Sequence, residues 1–274
     1  MLFPLPQRKV IRVLFDESHG EAWSTRPEVA AAMQPEHPAA SSYAAAAGAL
    51  AERDYEVAPL TAGSLTAALP DTDVLVIAHP SDAHWERTVG GSPVLSGTEI
   101  DAIESFVAAG GGLVVLGETE EDKYGANVNE LLARFGLHMD NRTVEDYTRN
   151  DGTPMWVLGE PDPQTAEPTL LHLVRSVCFY RAGALSAERP GAIVLRAGDD
   201  AHPARAGLLA AVSHGEGRVV VAADSDLFGD DNLGEHDHLQ LWLNLLYWVA
   251  LPAFRAAPEA IASGAARKAG RATQ

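Results

Sequence analysis

Acidic and histidine side chains recur in this chain just after short apolar, β-branched runs. They are the groups able to move protons or to hold a cation. Residues 10–15 run into Asp16, Glu17, Ser18, His19, Gly20 and Glu21, with Trp23 just beyond. Residues 74–78 run into His79 and Pro80, and 113–116 into Gly117, Glu118, Thr119, Glu120, Glu121 and Asp122. Residues 219–223 run into Asp224, Ser225 and Asp226. A carboxylate beside a histidine suits general acid–base work, so Asp16, His19 and Glu118 are the candidate catalytic groups. Crowded carboxylates titrate high, which suits Glu118 to the acid role. Asp224 and Asp226 are two apart and share a face in extended chain. With His236 and His238 they make a candidate divalent-metal set. The two histidines could bind one ion only if the helix starts after them, because two helical steps turn by about 200°.

Glu17, Glu21, Trp23, His79, Thr119, Asp224 and Asp226 are candidate ligand-binding residues. Each type also has a plain structural reading. Asp16 can cap a turn that Gly20 bends. Pro80 restricts His79 to extended or turn backbone, where its ring could hydrogen-bond a neighbouring loop. Trp23 could wall a pocket or anchor its loop. The acids around 118–122 can be solvated charge, and those before residue 238 can complement a helix dipole. The chain holds no HExxH, paired CxxC or phosphate-binding glycine loop.

The elements that must position these groups alternate in the first half. A strand at 10–15 is followed by a long loop over about 20–40, with Pro27, Pro35 and Pro38, that could serve as a lid. Ser41 and Ser42 are placed to cap an alanine-rich helix reaching about Arg53. A strand at 55–59 and a helical turn near 64–69 lead to the strand at 74–78. Thr98 and Asp101 have a capping-box-like spacing for a helix burying Ile100, Ile103, Phe106 and Val107. Gly110, Gly111 and Gly112 end it, and a helix over 127–135 closes at Gly136. Alternating strand and helix predicts a parallel sheet. If the strands are parallel, their polar ends converge where ligands bind in open α/β sheets. Residues 140–215 instead hold short strand-like runs, at 155–158, 177–180, 193–196 and 208–213, which predict an antiparallel extension of the same sheet. A final strand at 217–223 precedes a helix over 236–250 that Pro252 should stop.

Composition excludes several classes. A formal charge of −18 over 274 residues argues against nucleic-acid binding and against anionic membranes. The lone Cys178 excludes an internal disulfide framework and fits a reducing compartment. No run approaches a membrane span, and residues 1–9 lack a signal-peptide apolar region. The expectation is a cytoplasmic protein, with a homo-oligomer left open.

The run from Gly110 through Gly117 resembles the glycine-rich turn and strand of class I glutamine amidotransferase-like folds. The nearest branch is similar to the GldG/IFT-type and ThuA-like group, often described as domains of unknown function. Tyr124 to Leu132 with Phe135 and Gly136, Gly217 to Val221 leading into Asp224-Ser225-Asp226, and Leu243 to Trp248 carry the same resemblance. It implies a flavodoxin-like, three-layer α/β sandwich over residues 1–254, a mostly parallel sheet with an antiparallel extension; the tail at 255–274, rich in Ala, Gly, Lys and Arg, is expected to be flexible or peripheral. Matching the glycine-ended strand puts Thr119 where an amidotransferase has its cysteine, and Glu121 where it has a glycine. Asp224-Ser225-Asp226 replaces the family's His-x-Glu. Nucleophile and base must lie within hydrogen-bond reach, and neither is evident, so glutaminase activity is not expected.

Two readings follow. One is a protein that handles a small polar ligand, sugar-like or amine/amide, in an acidic crevice. It could be a hydrolase or isomerase, with or without a divalent metal. The other is a non-catalytic interaction domain on the same fold. If Asp16, His19, Glu118, Asp224 and Asp226 share one inward-facing pocket, the first gains; if they point to solvent on separate loops, the second does.

Overall fold

The computed structural model describes residues 9–255. Its elements run β1 (Ile11–Asp16), α1 (Pro27–Met33), α2 (Ala44–Ala51), β2 (Tyr55–Leu60), α3 (Leu65–Ala68), β3 (Val74–Ala78), α4 (Gly97–Ala108), β4 (Gly112–Leu116), α5 (Val128–Ala133), β5 (Leu137–Asp140), β6 (Trp156–Leu158), β7 (Glu160–Pro161), β8 (Cys178–Tyr180), β9 (Ala184–Ala187), β10 (Ile193–Arg196), β11 (Gly207–His214), β12 (Gly217–Ala222) and α6 (His238–Arg255). The tail expected from residue 256 onward lies outside the described residues.

The ten-stranded sheet runs β2-β1-β3-β4-β12-β11-β10-β7, with β9 on β11 and β5 on β9. From β2 to β12 every pairing is parallel. From β12 outward it is antiparallel. β3 and β4 are buried at every position, as parallel strands covered on both faces must be. The fold is the mixed, flavodoxin-like α/β sandwich that the alternation implied, with its antiparallel extension. The path jumps from β4 straight to β12, so the last parallel strand closes onto the fourth. That jump places Glu118, after β4, beside Asp224 and Asp226, after β12.

Helix α6 packs against β12, β4, β1 and β3. Its Leu241, Trp242, Leu245, Leu246 and Val249 are fully buried. The Trp242 ring meets Phe15 at 6.2 Å and Phe228 at 5.0 Å, and its Nε1 donates to the Ala46 carbonyl of α2 at 3.1 Å. β4 passes so close beneath α6 that a Cβ on Gly112 would lie 2.7 Å from the Val249 carbonyl oxygen, so only glycine fits there.

Several boundaries differ from expectation. The cap of α4 is Ser96, not Thr98: Ser96 is extended, its hydroxyl accepts the Glu99 N–H, and Glu99 reaches back to the Ser96 N–H. Thr98 already lies inside the helix. Pro252 does not stop α6, which continues to Arg255. Proline there removes the N–H that would have bonded the Trp248 carbonyl, and the Arg218 guanidinium supplies that bond instead at 3.1 Å. The segment over 20–40 is not an open lid. It folds as α1 and a short 3₁₀ turn at Pro38–Ser41, with Trp23, Ala30, Met33 and Ser41 buried. The N-terminus of α2 is held by Asp230, which accepts from the Ala45 N–H and the Ser42 hydroxyl, while Ser42 accepts only a long bond from Ala44. β6 and β8 pair with each other as a separate two-stranded sheet instead of joining the main one. The short β5, β7 and β9 went unforeseen, because two to four residues carry too little period to read.

Candidate functional site

The carboxyl end of β1 turns back on itself. Asp16 accepts from the Ser18 N–H and hydroxyl through Oδ1, and its Oδ2 lies 2.6 Å from His19 Nδ1. His19 Nε2 is 3.3 Å from Glu99 on α4. Burial pushes the His19 pKa down, but the Asp16 hydrogen bond and charge outweigh it, with Glu99 adding to the net rise. Asp16 and His19 are thus held in a chain that ties β1 to the first turn of α4. Glu17, also buried, accepts from the Ser24 hydroxyl, the Thr25 N–H and hydroxyl, and the Arg26 guanidinium. It organises the segment leading into α1.

A second cluster occupies the ends of β3, β4 and β12. One carboxylate oxygen from each of Glu118, Asp224 and Asp226 lies within 4.8 Å of the other two. Glu118 is 8 % exposed; its Oε1 accepts from the Ser225 hydroxyl at 2.9 Å. That hydroxyl in turn accepts from Trp23 Nε1 at 2.9 Å. Trp23 stacks on Tyr43 at 4.6 Å, whose hydroxyl donates to the Ser225 carbonyl. The tryptophan therefore does both things its position suggested: it anchors its segment and walls a pocket. Asp224 accepts from the Asp226 N–H and from the Tyr180 N–H of β8. Burial raises the pKa of all three acids; Asp226 and Glu118 repel Asp224 and carry it well up, Glu118 helps carry Asp226 to about 8, and Glu118 itself is raised against the pull of His79.

Glu118, Ser225 and Asp226 line a small cavity of ≈ 130 Å³ with His79, Trp23, Glu86, Tyr124 and Arg181. Its walls are mostly polar. His79 is not extended before Pro80; it takes the left-handed conformation, φ 53, which a non-glycine residue adopts at a cost of about 1–3 kcal/mol. Its N–H is held by the Leu116 carbonyl and its carbonyl by the Ala22 N–H. Its Nε2 is 2.8 Å from Glu86 in the following loop, and the ring meets Tyr124 edge-on at 4.4 Å. His79 thus bonds a neighbouring loop, as expected, and also faces the cavity. Its Nδ1 is buried with no hydrogen-bond partner. Burial works against the charged ring, but Glu86, Glu118 and Glu121 together carry its pKa up to about 9.

Two further buried acids lie behind this wall. Neither carboxyl oxygen of Glu21 makes a well-formed hydrogen bond, and burial, then Asp16, pushes its pKa well up against a weak pull from the Ala78 backbone. Glu121 bonds the Glu118 N–H through one oxygen and leaves the other unpaired; burial carries it to about 7 against the pull of His79. Glu121 is therefore not solvated surface charge. Thr119 is buried, its hydroxyl on Thr143. The left-handed residue of that turn is Glu120, φ 52, one position after Thr119.

The expected metal set does not converge. His238 donates from Nδ1 to the Asn232 carbonyl, so its Nε2 lone pair is taken by the Cys178 N–H. Burial then lowers its pKa, and the ring is a neutral structural link between β8 and α6. His236 sits apart from Asp224 and Asp226, bonded to Ser176 and Asp151.

Of the five side chains singled out as a test, Glu118 and Asp226 face one cavity. Asp224 braces β8 behind them, and Asp16 and His19 form their own chain. Ser225, Tyr124, Glu86 and Arg181 escaped the sequence reading. Ser225 could have been noticed between its two aspartates. Arg181 comes from the irregular second half, with no signal in its neighbours. A larger groove of ≈ 1110 Å³ opens around Lys9, Asp73, Gly110, Gly217 and Arg255, but it gathers no buried acid–base cluster.

The comparisons with known proteins agree with this fold. The family model described as "Domain of unknown function (DUF4350)" matches residues 35–246. The chain belongs to the DUF4350 family. No curated protein sequence matches it. Among solved structures it is similar to the mmIFT52 N-terminal domain, at 15 % identity and TM-score 0.67, over 87 % of this chain and 97 % of that one. It is also similar to a cytoplasmic protein from Salmonella typhimurium, at 12 % identity and TM-score 0.53, over 88 % and 99 %. A ThuA-like protein from Bacteroides uniformis matches at 12 % identity and TM-score 0.51, over 90 % and 95 %. At these identities the likeness is one of fold, and it supports the ThuA-like and IFT-type resemblance at that level. No helix among the described residues is long and apolar enough to cross a membrane.

Proposed function

We propose that this DUF4350 chain binds a small polar ligand bearing an amine, amide or hydroxyl groups in the cavity at the ends of β3, β4 and β12. The observation that carries the reading is the approach of Glu118, Asp224 and Asp226 in the crevice of a parallel sheet, beside a strained histidine with an unpaired ring nitrogen. Carboxylates recognise N–H and O–H donors, and the strongly negative chain favours cations over phosphates. Arg181 and Arg87 at the rim suit a carbonyl or carboxylate on the same ligand. The cavity is well under the roughly 300 Å³ of drug-sized sites, so the ligand has few heavy atoms. Acids raised towards neutrality and a histidine raised above it suit proton transfer, as in a hydrolase or isomerase. Glutaminase chemistry is no part of this reading. Thr119 stands in the nucleophile's place, and burial pushes the Cys178 thiol up to about 12, with Asp151 and Asp224 adding to it.

The test is calorimetric titration of the full chain with small amines, amides and polyols. Binding that disappears in Glu118→Gln and in Asp226→Asn, with folding intact, supports the proposal. Binding unchanged in the double variant would sink it. The other reading, an interaction domain, draws on the exposed Tyr147 and Trp156 and on the likeness to the mmIFT52 domain. It gains if no small ligand binds while Tyr147→Ala or Trp156→Ala abolishes a partner complex.

A further inference from the structure

A second cluster of ligating atoms lies away from the carboxylate cavity. The Cys178 sulfur, a ring nitrogen of His236 and a carboxylate oxygen of Asp151 all lie within 4.8 Å of one another. We propose that Asp151, Cys178 and His236 form a site for a borderline-soft divalent cation of the zinc class, with solvent completing a four-coordinate shell. Thiolate, imidazole and carboxylate are the ligand types that such ions take. Tetrahedral coordination at the usual bond lengths would put these atoms roughly 3.3–3.8 Å apart, so small side-chain movements close the site.

The three residues come from separate elements, and each is held from behind. Cys178 opens β8, where its N–H is fixed on His238. Asp151 precedes β6, with its N–H on the Trp156 carbonyl. His236 lies just before α6. Its Nε2 is 3.1 Å from Asp151 and its Nδ1 2.9 Å from the Ser176 hydroxyl. Ser176 is itself placed by Asp237, which accepts the Arg175 and Ser176 N–H groups. A ligating histidine ordinarily bonds such an outer partner through its second nitrogen. Cys178 forms a buried floor and Asp151 an exposed rim, so an ion can enter from solvent.

Binding replaces the S–H bond and the Asp151–His236 hydrogen bond with metal–ligand bonds. The thiol proton passes to solvent. The ring's Nε2 proton is given up to solvent and one is taken up on Nδ1, where Ser176 Oγ turns to accept it, so the ring stays neutral and no electron changes hands. The ion would tie the β6–β8 sheet and the loop before it to the start of α6.

The experiment uses the tag-free full chain, stripped with chelator and titrated with Co²⁺ alone. The expected result is a thiolate-to-cobalt charge-transfer band that saturates at one equivalent and vanishes in Cys178→Ser. His236→Ala and Asp151→Asn should each weaken binding about 10-fold or more. Cobalt held only by oxygen at Glu118, Asp224 and Asp226 gives no such band, so the two sites are told apart. No charge-transfer band with Co²⁺ in excess overturns the proposal. So does a band that survives both His236→Ala and Asp151→Asn unweakened. Because Asp151 is exposed, its variant keeps the test open if Cys178→Ser does not fold.

Discussion

His79 and the acids around it are linked to pH in the same direction. His79 titrates near 9 in the fold against about 6.5 unfolded. The stability it contributes is complete below the unfolded value and is lost as pH rises through 9. Asp226, near 8, and Glu121, near 7, are raised too. The folded state binds their protons more tightly, so their contribution also falls as pH rises through those values. The melting temperature should therefore decline between about pH 6 and pH 9. Asp226→Asn should raise it at pH 8 and flatten the decline, because it removes a carboxylate that burial resists ionising. Melts across that range check this; a slope equal to wild type refutes it. Glu17 makes the opposite case, a buried acid that is fully bonded. Glu17→Ala strands the Ser24, Thr25 and Arg26 donors and should destabilise the fold by about 2–3 kcal/mol, measured by urea unfolding.

The ends of the helices decide how the site is held. His19 reaches Glu99, which is also half of the Ser96 capping box. Ser96→Ala should cost about 1 kcal/mol. Thr98→Ala, at the position the spacing alone suggests, should cost under about 0.5 kcal/mol. Equal losses would put the cap in the wrong place. Asp230 holds the N-terminus of α2 across a separation of 185 residues, and Asp230→Ala should likewise lose about 1 kcal/mol. In α6 the Arg218 guanidinium serves the carbonyl that Pro252 leaves bare. Proline breaks a helix partly by leaving that carbonyl without its donor, and here a neighbouring strand supplies one.

At the scale of the molecule, one hydrophobic cluster runs from Ile11 to Ala253 through both halves of the sheet. Despite its irregular second half, the protein should unfold in a single calorimetric transition; two resolved transitions would show the antiparallel extension melting alone. Trp242→Ala empties the junction of α6, β1 and α2 and should cost about 3–5 kcal/mol. The net charge of −18 makes binding of a cationic ligand weaken as salt rises.

What the chain determined by itself was the first half of the fold. Short continuous β-branched runs read as strands buried on both faces, and their alternation with amphipathic, glycine-stopped helices marks them as parallel. Polar residues after each run then mark the strand ends, as with Glu118, Asp224 and Asp226. Only the tertiary structure decided which of those ends meet. Pairing β12 with β4 brings residues 118 and 226 together, and no local pattern encodes a contact over that separation. It also decided charge. Glu121 reads as a solvated surface acid in sequence and is buried, because burial is set by what packs over a turn and not by the turn. The same holds for His238, a metal-ligand type whose lone pair β8 has taken, and for His236, which the fold moves to Asp151 and Cys178.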